Sequence, residues 1–278
     1  MGTIVNFNSD LVRSYISFLR GEGQKYVPSP LYSKVSGMST PLLSWIYFNR
    51  NNQGDISSLV DFDRKRQFNT VGPYLVEQGP CHREDRKETR YNEALEIIKT
   101  VWLEMHSLII SISPMMSYPG SMHVFESASD PKLFGEIIYR MDSDCPVKWA
   151  EILVHEIGHH YLYVITSTKK TDEIFNRAFK DTRFSNLKKE TRPLIGIYHA
   201  VFAQSCMITL ASKVLDSGLD HNKKLKAEEI LARFWDIFPK DLETITKCDL
   251  LDFDAHIKSF IEEARIRFLS HFKLEAIS

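Results

Sequence analysis

Residues 155–160 read His-Glu-Ile-Gly-His-His inside a stretch whose apolar residues recur at helical spacing. No other feature constrains the chain as tightly. Four residues along an α-helix return almost to the same azimuth, so His155 and His159 project from one face, one turn apart. Two neutral imidazoles held that way grip a divalent metal, with Glu156 beside them as a base or a further carboxylate. Chance produces an HExxH in a chain of this composition about two times in a hundred. A metal site is therefore the stronger reading than a buried histidine pair.

Composition narrows the setting. A chain of 278 residues with 43% hydrophobic and 12% aromatic content reads as a soluble globular protein of one large or two modest domains. Its formal charge of -1 argues against a general nucleic-acid footprint. Met1 to Arg20 is amphipathic rather than continuously apolar, unlike a secretory signal. No apolar run approaches the ~20 residues that span a bilayer. The expected setting is cytoplasmic, with neither a membrane nor a nucleic acid as partner. The four cysteines, Cys81, Cys145, Cys206 and Cys248, lie far apart without a CxxC pair and read as reduced structural thiols. Cys81-His82 forms a metal pair only if partners converge on it from elsewhere.

The pattern along the chain predicts a mainly α (α+β) fold, a helical domain with a small sheet beside the HExxH helix. Asn8-Ser9-Asp10 caps an amphipathic helix to about Arg20, with Leu11, Tyr15, Ile16 and Leu19 inward. Residues 1–88 form an irregular, partly helical N-terminal region, and residues 89–278 the catalytic helical core, the two making one compact unit. Leu95, Ile98, Trp102, Met105 and Ile109 mark a helix over 89–110, with His106 at its boundary. Two extended runs, 122–126 and 135–140, follow. Asp144-Cys145-Pro146 opens the motif helix, which runs to about Ile165 with Trp149, Ile152, Leu153, Leu162 and Tyr163 buried. A loop and a short helix at 173–179 lead to a long apolar helix from Pro193 to Leu215. Helices over 225–238 and 253–269 complete the chain.

Two histidines do not complete a catalytic site; a third protein ligand is expected. The metzincin continuation fails, because Leu162 and Ile165 occupy the expected glycine and third histidine positions. A downstream glutamate ligand is available in Glu173 or Glu190, but neither sits on a buried helical stripe. His199, inside the apolar helix, is the better candidate. Gly158 and Gly196 each interrupt a helix at a cost of about 1 kcal/mol relative to alanine. If they face each other, His155, His159 and His199 converge between the two helices.

Val154-His-Glu-Ile-Gly-His159 followed by Arg192-Pro-Leu-Ile-Gly-Ile-Tyr-His-Ala-Val-Phe-Ala203 resembles the HExxH-type, 2-oxoglutarate-dependent non-haem iron peptide hydroxylases of ribosomal peptide natural-product pathways. Members of that family carry HExxH and then an Arg-Pro-Leu-x-Gly-x-x-His-x-x-Tyr/Phe-Ala block. The likeness covers residues 135–215. It implies Fe(II) rather than zinc, 2-oxoglutarate and O2 as co-substrates, and hydroxylation at a side-chain carbon, commonly the β-carbon, of a precursor peptide. It also implies His155, His159 and His199 as iron ligands and Arg192 as the anchor of the 2-oxoglutarate carboxylate, which a guanidinium can hold bidentately. A three-histidine set departs from the commoner two-histidine, one-carboxylate iron triad. Glu156 is left open as catalytic base, ligand or hydrogen-bond acceptor to a ligand.

The alternative is a zinc metallopeptidase in which Glu156 activates a metal-bound water. In either case residues 135–140 are a candidate edge strand for β-addition of an extended peptide, with Arg140 as a candidate contact for an acidic group. A metal-free scaffold that binds peptides is the third class of reading.

Overall fold

The structure, a computed structural model, describes residues 7–25, 70–71, 74–75, 85–112, 114–117, 127–130, 134–139, 143–168 and 173–272. Cys81-His82, His123, Arg140 and the run 122–126 fall outside them. The fold is mainly α, with small sheets. Its elements are α1 (Ser9–Lys25), β1 (Thr70–Val71), β2 (Tyr74–Leu75), α2 (Asp85–Val101), α3 (Leu103–Ile112), β3 (Met115–Ser117), β4 (Ser127–Ala128) and β5 (Glu136–Tyr139). They continue with α4 (Pro146–Thr168), α5 (Glu173–Lys180), β6 (Thr182–Ser185), β7 (Glu190–Pro193), α6 (Leu194–Asp216), α7 (His221–Phe234), α8 (Phe238–Thr246), a 3-10 turn (Leu250–Phe253) and α9 (Ala255–His271).

The chain divides into two compact units, one of Met1–Phe7, Tyr91–His106 and Cys145–Ser278, the other of Asn8–Arg90 and Ser107–Asp144. In the second unit Asn8 Oδ1 accepts from the Leu11 N–H at 2.9 Å and caps α1 as its sequence signals. Val12 replaces Leu11 on the fully buried stripe with Tyr15, Ile16 and Leu19. This unit also holds a three-stranded sheet in the order β3-β5-β4. β5 is its central strand, parallel to β3 and antiparallel to β4. The described part of the expected edge strand, Glu136–Tyr139, therefore has a strand on each side and is not a sheet edge.

The first unit is organised around α6. From Leu194 to Ser212 every residue except Gly196 and His199 is buried. α4, α7, α8 and α9 pack against it. Contrary to the expectation that no apolar run reaches spanning length, it is long and apolar enough to cross a membrane. Its mean hydropathy is 1.6 over its most apolar window, yet 89% of that window is buried inside the protein. A helix apolar all round is what a protein core of this kind requires. Where α4 passes α6, a Cβ built on Gly158 would stand 2.9 Å from Cys206 Sγ and 3.7 Å from Phe202 Cε1. Gly158 thus faces Cys206 and Phe202, and not Gly196 as its sequence spacing suggested. Aromatic packing extends the contact. Phe202 lies 5.4 Å from Phe260, and Phe7 lies 4.9 Å from Tyr161 and 5.8 Å from Trp102, ring centre to ring centre. Trp102 stands at the break that divides the expected 89–110 helix into α2 and α3.

Two further elements depart from the sequence pattern. The residues after α5 form an antiparallel hairpin, β6–β7, where a polar loop was expected, and Pro193 closes its second strand instead of opening α6. The expected 225–238 helix is α7, which starts earlier and ends at Phe234, and a further helix, α8, follows with Pro239 in its first turn. Asp254 Oδ1 accepts from the His256 and Ile257 N–H groups at 2.9 and 3.0 Å and caps α9.

Replacing Gly158 with alanine tests the α4–α6 contact. Helix propensity alone favours alanine by about 1 kcal/mol, whereas overpacking a tight core costs typically about 1–3 kcal/mol. Gly158→Ala should therefore lower Tm. Gly158→Ala/Cys206→Ala, which removes the colliding sulfur, should recover part of the loss. A Tm raised by Gly158→Ala would refute the close approach.

Candidate metal centre

α4 is buried from Trp149 to Ile165 except at three residues, His155, His159 and Tyr163. They stand at intervals of four, one stripe on one helical face. On α6 the two breaks in burial, Gly196 and His199, are likewise close in helical register. The two helices thus expose a narrow, histidine-lined strip in an otherwise sealed contact. His155 and His159 lie on this strip, while Glu151, Glu156 and His160 are buried polar residues among the apolar ones of α4.

One candidate ligand atom from each of His155, Glu156 and His159 lies within 4.8 Å of the others. The His155 and His159 rings are 4.8 Å apart and nearly perpendicular. His199 stacks on His159, 5.7 Å away with the planes 20° apart. The structure places His199 beside His159, while the group of donors close enough to share an ion is His155, Glu156 and His159. Tyr163, expected in the core, instead faces the strip: its ring is 6.3 Å from His159 and 5.5 Å from His199. Its four-residue spacing from His159 was the available signal. His160, the next residue after the motif, is fully buried and belongs to the core.

The electrostatics suit a cation among neutral donors. Burial above all, aided by the Lys188 and Arg233 charges, lowers the His155 pKa from 6.5 to about 4. Burial and the Arg192 charge lower His199 to about 4. Burial and the neighbouring imidazoles hold His159 well below the ordinary histidine value, against the pull of Glu156. Neutral imidazole is the metal-binding form. Glu156 is 1% exposed, lies 3.6 Å from His155 Nε2 through Oε1, and has no hydrogen-bond partner for either carboxylate oxygen. His159 Nδ1 is also buried and unpartnered. An unpaired buried carboxylate is costly unless a cation compensates it. The residues present therefore fit a divalent metal, by donor type and by these orphaned atoms.

Arg192 comes to the strip from β7. A Cβ on Gly196 would stand 3.0 Å from Arg192 Nε and 3.4 Å from its Cζ. The guanidinium thus folds back over the first turn of α6, and glycine at 196 leaves it the room. Arg192 Nε is buried without a partner. The hairpin that delivers it is pinned by a residue with no sequence signal, Asp241 on α8. Fully buried, Asp241 accepts through Oδ1 from the Asn186 N–H at 2.7 Å and Nδ2 at 2.9 Å. Its Oδ2 accepts from the Leu187 N–H at 3.2 Å. Ahead of His155 by one turn, buried Glu151 pairs with Lys148 at 3.1 Å and with Arg233 at 2.5 Å, tying α7 to α4. Glu190, considered as a carboxylate ligand, is exposed on β7 and off any helical stripe. Among the described residues, Cys145, Cys206 and Cys248 form no disulfide. Burial pushes the Cys206 thiol far up, which keeps it protonated.

Comparison of the sequence with models of known protein families and with characterised proteins finds no match. The site is therefore read from its own chemistry.

Protein purified without chelator or nickel affinity should carry about one equivalent of divalent metal. His155→Ala and His159→Ala should each abolish that stoichiometry; full retention in either variant would remove the site. After chelation, pH supplies a second test. Unfolded histidine titrates near 6.5, whereas folded His155 and His199 titrate near 4, so the unfolded chain binds more protons in between. Stability should fall as pH drops from 6.5 towards 4, and less steeply in His199→Gln. Urea midpoints that do not move across that window would contradict the shifts.

Proposed function

We propose that the chain is an Fe(II)- and 2-oxoglutarate-dependent oxygenase that hydroxylates a side-chain carbon, the β-carbon, of a ribosomally made peptide. The observation that carries this reading is the placement of Arg192, folded over Gly196 beside His199 with a buried, unpartnered Nε. In a peptidase a guanidinium there would serve as an oxyanion donor. An oxygenase that uses a 2-oxo diacid needs a cation for the distal carboxylate, and an arginine binds it in two-point fashion. The Arg-Pro-Leu-x-Gly-x-x-His spacing, which gave the family resemblance, sets Arg192, Gly196 and His199 on one side of the α6 start.

In this reading His155, His159 and His199 hold the iron, which with 2-oxoglutarate and O2 supplies the oxidising chemistry. Neutral imidazoles at pH 7 need lose no proton to bind it. Glu156, buried beside His155, serves as a neighbouring acceptor or a further ligand, and the stacked Tyr163 closes the strip behind His159 and His199. Cysteines that form no disulfide among the described residues fit the reducing cytoplasm, where Fe(II) and 2-oxoglutarate are at hand.

The second reading, a zinc metallopeptidase, is favoured by one observation: the tightest donor group contains Glu156 and not His199. Against it stands the burial of Glu156, since a base that activates water must meet that water.

Anaerobically reconstituted protein, given Fe(II), ascorbate, 2-oxoglutarate and air, should form succinate even without its peptide, and add one oxygen atom to the right peptide. Arg192→Ala should raise the 2-oxoglutarate requirement roughly thirtyfold or more while retaining metal. Zinc retention with peptide-bond cleavage, no 2-oxoglutarate dependence, and loss of turnover in Glu156→Gln would establish the peptidase instead.

A further inference from the structure

The β6–β7 hairpin has features that the metal centre does not use. Within twelve residues, Thr182 to Pro193, it carries Arg183, Lys188, Lys189 and Arg192 against the single acid Glu190. Arg183, Lys188 and Lys189 are exposed, and none makes an ion pair among the described residues. Arg183 stands directly opposite Arg192 in the ladder. Residues so paired project from the same face, and like charges placed there destabilise a hairpin. The hairpin nonetheless keeps both, and Arg192 of the pair reaches the strip beside His199. An anion bound at Arg183 would relieve that repulsion across the ladder from Arg192.

The ladder itself offers a docking edge. Among the described residues β6 pairs with β7 alone, so the other side of β6 has no strand. Phe184, on the face opposite Arg183, is 52% exposed, and Phe179 at the end of α5 is 58% exposed. The backbone is held ready by Asp241, by the Lys189 N–H donating to the Ser185 carbonyl at 2.8 Å, and by Lys189 in the left-handed region at φ 57°. A rigid edge strand receives an extended peptide with little ordering cost.

We propose that the outer edge of β6 is the docking strand for an acidic segment of the peptide substrate, with Arg183 meeting a carboxylate beside Arg192 and the turn lysines extending the contact. The proposal takes the substrate's peptide nature from the reading above and adds its charge and its place on the fold. Charge complementarity selects an acidic peptide over a neutral one.

The test uses metal-loaded full-length protein under argon and a fluorescein-labelled peptide alternating glutamate with threonine. Its glutamine counterpart is the control. Anisotropy should give about tenfold tighter binding for the glutamate peptide, weakening with salt. Arg183→Gln and Lys188→Gln/Lys189→Gln should each erode that preference, and hydrogen exchange at residues 182–185 should slow when the peptide binds. Equal affinity for the two peptides, preference unchanged in the Arg183→Gln/Lys188→Gln/Lys189→Gln protein, or protection confined elsewhere would each overturn the proposal. Displacement by an equal concentration of oligothymidylate would do the same, by showing a general polyanion surface. Binding is read without turnover. Protein that binds the acidic peptide but never makes succinate would sink the oxygenase reading alone.

Discussion

The close approach of α4 to α6 at Gly158 governs the rest of the unit that holds the site. With no side chain at 158, Cys206 Sγ and Phe202 come within contact of the α4 backbone. Two helices packed that tightly leave little solvent access between them, and most of their buried residues are apolar, with Glu151, Glu156, His160, Gln204, Ser205, Thr209 and Ser212 the buried polar ones. The breaks in burial then become conspicuous. His155, His159 and Tyr163 on α4, with His199 on α6, sit where the seal opens. The same packing desolvates the imidazoles and keeps them neutral, which is the state a metal requires.

The charges around this strip are arranged asymmetrically. Glu151 is neutralised by Lys148 and Arg233, while Glu156 and Arg192 each carry buried atoms without a partner. A buried carboxylate beside imidazoles invites a cation, and a half-buried guanidinium a few residues from His199 invites an anion. A buried carboxylate on α4 and a buried guanidinium nitrogen folded over the first turn of α6 thus stand with opposite charge.

Much of the site was legible in the sequence because it rests on helical periodicity. His155 and His159 share a face by spacing alone, the Asn8 cap of α1 holds as read, and the α4 and α6 boundaries lie within a few residues of those expected. What failed was non-local. Gly158 and Gly196 both mark close contacts, but with Cys206 and Arg192 and not with each other. The β6–β7 hairpin escaped notice because strands of four residues, mostly exposed, leave no alternating apolar signature. Residues 135–140 were recognised as a strand, yet an edge and a centre cannot be distinguished without knowing that β3 and β4 flank it.

By itself, then, the sequence determined that two imidazoles and a carboxylate share one turn of a buried helix, since an α-helix's azimuth depends only on residue spacing. Only the tertiary structure decided that His199 stacks on His159, that Tyr163 faces them, and that Arg192 folds over Gly196. Those placements join residues tens of positions apart, and they depend on packing distances and on a hairpin fastened by Asp241 from another helix. Nothing in the local pattern encodes them.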